Sequence, residues 1–179
     1  DLDAQMREKK IPLFGLESQQ PIKDFDFLGI TLQYEMCYTN ILQVLDLSYI
    51  PLLSEDRTWD HPIVIGGGPC SYNPEPIAAF FDLFYIGEGE TQYRALLDLY
   101  KKDRENGCDR ETFLRHAALI PGIYVPSLYE VDYHEDGTIA SFEPIYSDVP
   151  KNVCKEVETN ISDTFYPVKP VVPFIKATQ

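Results

Sequence analysis

The sequence predicts an α/β fold, in which helices cover both faces of a parallel sheet and a β-hairpin and an extended strap follow. Three short apolar segments, each followed by a segment with helical spacing, predict the alternation of strand and helix. Their almost continuous apolar character is typical of parallel strands that are buried on both faces. The chain has 179 residues, 44% of them apolar and 13% aromatic, which is enough for the core of one domain.

The predicted elements follow from apolar spacing and from residues that start or stop helices. The predicted helices are residues 2–9, 38–47, 75–81, 92–105 and 110–119. The predicted strands are residues 13–16, 27–32, 63–65, 83–86 and 123–125, and the hairpin strands are residues 128–133 and 139–142. Asn73 and Pro74 suit a helix start, and Gly107 suits a helix end. Gly137 lies in a hairpin turn signal, and the proline-rich residues 149–179 predict an extended strap.

Composition excludes several classes of function. The 29 acidic residues exceed the 15 basic ones by 14, and the isoelectric point is about 4.5. Nucleic acids and anionic membranes both select a basic surface, so neither is an expected partner. The charged first residues do not resemble a secretory signal, and no apolar run approaches the roughly 18 residues of a membrane span. We therefore expect a cytoplasmic protein.

The cysteines and histidines predict no metal site. Cys37, Cys70, Cys108 and Cys154 form no C-x-x-C pair, and we expect ordinary thiols in or near the core. The three histidines are isolated in sequence, and none is predicted to be a ligand.

Three loops follow predicted strands, at the sheet edge where α/β proteins bind ligands. They are residues 31–35, 66–73 and 87–91, and the last two are rich in glycine. Glycines let backbone N–H groups approach a ligand. The alternative is that they serve only the tight turn that connects a strand to the next helix. The loops match no dinucleotide, P-loop or nucleophile-elbow motif. Glu88 and Glu90 are expected to cap the next helix or to accept hydrogen bonds from a ligand, rather than to act in acid–base catalysis.

Four stretches carry a family resemblance: MREKKIPLFGLES, LGITLQYEMCYTNIL, IVIGGGPCSYNPEPIAAFFDLFYIGEGE and IPGIYVPSLYEV. They resemble the N-terminal cobalamin (B12)-binding-like domain of an uncharacterised B12-binding radical SAM protein family, and they cover most of residues 5–132. A GG-x-P-type loop followed one βα unit later by GEGE is the most specific part of the pattern. The segment VKPVVPFI resembles the one that leads into the radical SAM barrel.

The resemblance implies a Rossmann-like (flavodoxin-like, cobalamin-binding-like) sheet, whose strand-end loops hold the nucleotide tail of cobalamin. The residues that it assigns to cofactor binding are Thr31, Leu32, Gln33, Tyr34, Gly66, Gly67, Gly68, Pro69, Gly87, Glu88, Gly89 and Glu90. Thr31 and Gln33 stand where related domains often have serine and leucine, so that match is partial. A histidine ligand for cobalt would follow a first strand that these residues do not include, so the lower cobalt ligand stays open. No catalytic or metal-binding residue is predicted.

The resemblance also implies a partner domain. A downstream radical SAM barrel of the same polypeptide would bind a [4Fe–4S] cluster and S-adenosylmethionine through C-x-x-x-C-x-x-C, which this chain lacks, so we expect no catalysis by the chain alone. Residues 1–121 would form the Rossmann-like domain, and residues 122–179 the hairpin and linker. Because the first strand is central in the flavodoxin order 2-1-3-4-5, we expect a gap in the sheet, filled by residues before Asp1 or by a second copy in a dimer.

Two other functions stay open. The domain could have lost the corrinoid and serve as a docking or substrate-presenting module. The domain could instead be a flavodoxin-like flavin binder, but the sequence has no hydroxyl-rich phosphate loop, which disfavours this hypothesis.

Overall fold

The computed structural model describes residues 1–160 and 162, and its central feature is a four-stranded sheet in the order β1-β2-β3-β4. The strands are β1 (Phe27–Thr31), β2 (Ile63–Gly67), β3 (Leu83–Tyr85) and β4 (Ile123–Tyr124). β1, β2 and β3 are parallel, and β4 is antiparallel to β3. A separate antiparallel hairpin contains β5 (Tyr129–Tyr133) and β6 (Ile139–Pro144). The mixed α/β class and the hairpin are thus confirmed.

The helices are α1 (Leu2–Lys9), α2 (Tyr38–Leu47), α3 (Tyr93–Glu105) and α4 (Arg110–Ala117). Asp1 and Asp109 each begin a helix, because their carboxylates accept the N–H groups of Ala4 and Thr112 at 2.9 and 2.8 Å. Lys10 ends α1 in the left-handed conformation.

The core lies on both faces of the sheet. Its largest fully buried side chains include Phe81, Phe84 and Phe113, together with the β2 residues Ile63 and Val64. Phe113 of α4 contacts Trp59 and Tyr100, whose ring centroids lie 5.8 and 5.5 Å away. These aromatic contacts hold α3 and α4 against the amino-terminal half of one sheet face.

A buried ionic cluster fixes the amino ends of β2 and β3. One oxygen of Asp82 accepts hydrogen bonds from Arg57, Arg110 and the Val64 N–H, at 3.2, 2.8 and 2.7 Å. The other oxygen accepts the Ser54 hydroxyl at 3.1 Å. Burial lowers the pKa of both arginines, and the charge of Asp82 opposes that shift.

Several local predictions are wrong. Residues 75–81 form a 3₁₀ helix, Glu75–Phe80, and Asn73 does not cap it. Residues 13–16 make one isolated bridge, Phe14 to Pro21, rather than a strand. Cys154 is exposed, whereas the other three cysteines are partly buried.

The predicted gap in the sheet is also wrong. β1 pairs directly with β2 over five residues, from Phe27 opposite Ile63 to Thr31 opposite Gly67. Within the described residues β1 is therefore an edge strand, and Gly29 and Thr31 are exposed rather than buried on both faces. The strand order 1-2-3-4 is the one that remains when the central strand is removed from the flavodoxin order, but β1 and β2 pair directly with each other and β4 is antiparallel.

The strap is extended where the structure describes it. Residues 149–160 contain an isolated bridge between Glu156 and Gly87 but no helix. The VKPVVPFI segment lies outside the described residues.

Candidate functional site at the carboxyl ends of the strands

Backbone hydrogen bonds join the first two strand-end loops. The Leu32 N–H donates to the Gly67 carbonyl at 2.7 Å, and the Cys70 N–H donates to the Leu32 carbonyl at 3.0 Å. Gly68 adopts φ +89°, and a Cβ there would lie 2.9 Å from Cγ2 of Thr31. Glycine is therefore required for the close approach of these two loops.

A pocket of about 330 Å³ opens where the three loops meet. Its walls come from all three parallel strands, the glycine loops and the start of α3. The lining residues are Gly29, Ile30, Thr31, Ile65, Gly67, Gly68, Tyr85, Gly87, Gly89 and Tyr93.

Two glycines leave open space in the floor of the pocket. Gly29 of β1 is paired with Ile65 of β2, and Thr31 with Gly67, so these four residues share one face of the sheet. A Cβ at Gly29 would meet no atom within 4 Å, and a Cβ at Gly67 would meet nothing closer than 3.9 Å. The floor is therefore open at these two positions, while the side chains of Ile65 and Thr31 project from the same face beside them.

Two stacked tyrosines form a side wall, because Tyr85, two residues after Leu83, projects from the same face of the sheet as Ile65. The rings of Tyr85 and Tyr93 lie 4.9 Å apart with an angle of 28° between their planes. Burial raises the pKa of both phenols, so both are neutral near pH 7. The Tyr93 ring lies directly over Gly89, where any Cβ would collide with it. Gly89 thus allows the ring to reach the pocket.

Glu88 lies between the pocket and the strap. Its carbonyl accepts the Tyr85 hydroxyl at 2.9 Å and the Thr91 hydroxyl at 3.0 Å. Its N–H donates to the Glu156 carbonyl at 3.0 Å, and its carboxylate accepts the Glu158 N–H. The GEGE loop is therefore held by Tyr85 on one side and by the strap on the other.

The structure brings together part of the predicted set of site residues. Those that line the pocket are Thr31, Gly67, Gly68, Gly87 and Gly89. Gly66 does not, because it faces the opposite side of the sheet, where a Cβ would lie 2.5 Å from Phe84. Leu32 is buried. Gln33, Tyr34, Pro69, Glu88 and Glu90 are exposed outside the pocket lining. Cofactor binding by any of these residues stays a prediction.

Five lining residues escaped the sequence analysis: Gly29, Ile30, Ile65, Tyr85 and Tyr93. A signal exists for Gly29, because glycine inside an apolar strand often marks close approach of a ligand or backbone. Tyr93 gives no comparable signal of a site in the sequence, although it lies only four residues after Gly89. A tyrosine at the start of a helix more commonly packs on the core.

Cys70, in the second strand-end loop, is not activated as a nucleophile. Burial, together with the charge of Glu35, raises the pKa of the Cys70 thiol, whereas a reactive thiol needs a lowered pKa. In residues 1–160 and 162 there is no group of three or more histidine, cysteine or acidic side chains that could hold a metal ion. No helix in this part of the chain combines the length and apolar character needed to cross a bilayer.

A larger groove of about 830 Å³ lies beside the amino ends of β2 and β3. The ionic cluster forms part of its floor through Arg57 and Arg110, and Tyr146 and Ile145 form part of its wall. Ligands of parallel α/β sheets bind at the other end of the strands, and no glycine loop reaches this groove. The smaller pocket is therefore the candidate site.

Comparison with known proteins identifies the family of the chain. Residues 1–126, which include the first three stretches and the start of the fourth, match the family described as "Radical SAM proteins, N-terminal". The chain belongs to this family. It is therefore the N-terminal, accessory part of a radical SAM protein. The family match does not test whether it binds cobalamin.

Another similarity is to an uncharacterized protein of Methanocaldococcus jannaschii, 37% identical over 90 residues. The match covers 49% of this chain and 18% of that protein, so this radical SAM N-terminal domain spans a small part of its relative. No solved structure matches the chain.

Proposed function

We propose that this radical SAM N-terminal domain binds a cobalamin-type cofactor through its nucleotide tail, with the tail's flat base in the strand-end pocket. The observation that supports the proposal is the open floor at Gly29 and Gly67 beside the stacked pair of Tyr85 and Tyr93. A planar heterocycle packs well against open backbone and against aromatic rings, and the pocket offers both.

Polar groups of the chain suit the sugar and phosphate of such a tail. The exposed Thr31 hydroxyl lines the pocket. Within residues 1–160 and 162, the N–H groups of Gly68 and Gly89 donate no hydrogen bond. Backbone N–H groups in glycine loops are suitable donors to phosphate oxygens. When bound, a corrinoid supplies a cobalt centre, whereas the residues of this chain would bind and orient the tail and exclude water from it.

A docking or substrate-presenting module is the second candidate, and the acidic surroundings of the loop favour it. Glu88, Glu90 and Glu156 lie beside the pocket, where their negative charges would oppose a phosphodiester. The strap also uses one N–H of the GEGE loop, that of Glu88. In either case the [4Fe–4S] cluster, S-adenosylmethionine and the reaction would belong to the rest of the polypeptide.

The test is titration of the purified protein with hydroxocobalamin, followed by gel filtration and a visible spectrum of the protein peak. Gly29→Leu places a side chain into the open floor without strained backbone, so it should remove binding but leave the fold intact. Glu105→Leu, which adds a leucine to the exposed far end of α3, is the matched control and should bind like the wild type. A folded wild-type protein that retains no corrin absorbance would instead support the docking module.

A further inference from the structure

The strap contacts the candidate site through both the backbone and the side chain of Glu156. The Glu156 N–H donates to the Ile86 carbonyl at 3.0 Å, and the Glu156 carbonyl accepts the Glu88 N–H at the same distance. Glu156 thereby forms a parallel bridge with Gly87. The Gln92 side chain lies 3.5 Å from the Glu156 carboxylate. One residue of the strap thus contacts the end of β3, the GEGE loop and the residue before α3.

Two glycines with left-handed backbone make room for this contact. Gly87 has φ +122°, and a Cβ there would collide with the backbone of Glu156. Gly122 has φ +79°, and a Cβ there would lie 2.8 Å from Cγ of Glu156 and 3.0 Å from the Ile86 carbonyl. The glycine of the GEGE loop that the sequence assigned to ligand approach is therefore in contact with the chain's own strap.

The contacts continue on both sides of Glu156. Lys155 places its ammonium group 5.8 Å from the ring centre of Tyr72, which lies in the second strand-end loop. Glu158 donates its N–H to the Glu88 carboxylate. The strap therefore crosses from the second loop to the third, at the edge of the pocket.

We propose that residues 153–158 of the strap are a fourth component of the strand-end site. In this segment, Glu156 and Glu158 are positioning residues for the loop Gly87–Glu90. The loop lines the pocket through Gly87 and Gly89, and Glu88 between them is bonded to the strap by both its N–H and its carboxylate. The geometry of the pocket is thereby linked to the polypeptide that leaves the strap. This inference deepens the proposed function and rests on it for the identity of the ligand, but the positioning role itself is measurable without a ligand.

The test compares two pairs of variants in the whole chain. Gly122→Ala and Gly137→Ala both put alanine at a left-handed position, with φ +79° and +82°, but a Cβ at Gly137 meets nothing within 4 Å. Backbone strain is similar in the two variants, so a difference between their measured rates reports the collision of the new Cβ at residue 122 with its neighbours, Glu156 first among them. Glu88→Leu removes the acceptor of the Glu158 N–H, and Glu135→Leu is its control, an exposed carboxylate in the turn between β5 and β6, away from the loop.

Two measurements are made on each variant: the rate of trypsin cleavage after Lys155, relative to cleavage after exposed Lys10, and the hydrogen exchange of the amides of residues 87–91. Gly122→Ala and Glu88→Leu should raise both rates about tenfold, the factor that corresponds to one lost hydrogen bond of about 1.4 kcal/mol. The two control variants should behave like the wild type. If Gly122→Ala does not fold, the Glu88 pair decides.

Two results would overturn the inference: unchanged cleavage after Lys155 in Glu88→Leu, or faster cleavage with unchanged exchange in residues 87–91. The first would mean that the contacts do not hold the strap, and the second that the strap does not position the loop. Failure of the proposed cofactor is a separate result, since it appears as absence of hydroxocobalamin binding by the wild type whatever the exchange rates are.

Discussion

Asp82→Ala should be among the most damaging single substitutions in the sheet. The carboxylate is fully buried and accepts four hydrogen bonds, two from arginines, one from the Val64 N–H and one from Ser54. Removing it leaves Arg57 and Arg110 without a counter-charge, although Arg57 keeps its bonds to the carbonyls of Pro51, Leu52 and Phe80.

The size of the effect follows from breaking a buried ion pair by removing one partner. That change costs about 3–5 kcal/mol, because the remaining charge is not solvated. Domains of this kind unfold with a total free energy of about 5–15 kcal/mol, so the loss is about a fifth or more of the stability. For a chain of this length it corresponds to a fall in Tm of about 6–20 °C.

Urea unfolding followed by circular dichroism measures the free energy of unfolding directly. Asp148→Ala is the matched control, since Asp148 pairs with Arg115 at 2.7 Å but both side chains are more than 40% exposed. Water and salt screen that pair, so little change is expected. A loss of less than about 1 kcal/mol for Asp82→Ala would refute the reasoning, because it would mean that water or rearranged partners solvate the two arginines.

Two further predictions test packing and pH dependence. Gly66→Ala should lower the free energy of unfolding by about 1–3 kcal/mol, because its Cβ would lie 2.5 Å from the Phe84 ring, whereas Gly29→Ala should leave it unchanged; urea unfolding of both variants checks this. Tyr100 donates to Asp26 at 2.8 Å, and burial followed by this hydrogen bond raises its pKa from 10.0 to about 12. Because the folded state keeps the phenol proton longer than the unfolded state, this contribution to stability is complete below pH 10 and is lost as the pH rises towards 12. Between pH 10 and about 12, the Tm of Tyr100→Phe should fall less steeply with pH than that of the wild type. An equally steep fall in thermal melts would contradict the assignment.

Elements that depend on local signals were predictable from the sequence. Helix α1 matches residue for residue, since Asp1 caps its start and Lys10 with Pro12 ends it. The hairpin follows from its turn signal at Gly137. The helix predicted at residues 75–81 is instead a 3₁₀ helix without a side-chain cap, and in so short a segment tertiary contacts can outweigh local propensity.

Long-range features were not predictable in the same way. The sheet order depends on which strand lies beside β1, and apolar runs do not specify neighbours. The glycine loops did indicate where the pocket lies, but Gly66, Gly67 and Gly68 have three different roles that depend on strand register. Gly66 contacts Phe84, Gly67 faces the pocket, and Gly68 adopts positive φ beside Thr31. The contact of Glu156 with Gly87 joins residues 69 positions apart, which no local pattern reports.

The edge position of β1 has a consequence for the pocket. Gly29, Ile30 and Thr31 belong both to the pocket lining and to the strand that has a neighbour on one side in the described residues. A further strand hydrogen-bonded to β1 would extend the pocket floor and place its own side chains next to the open space above Gly29. The residues that complete the pocket on that side, and with them its selectivity between ligands of similar shape, would then be supplied by whatever pairs with β1.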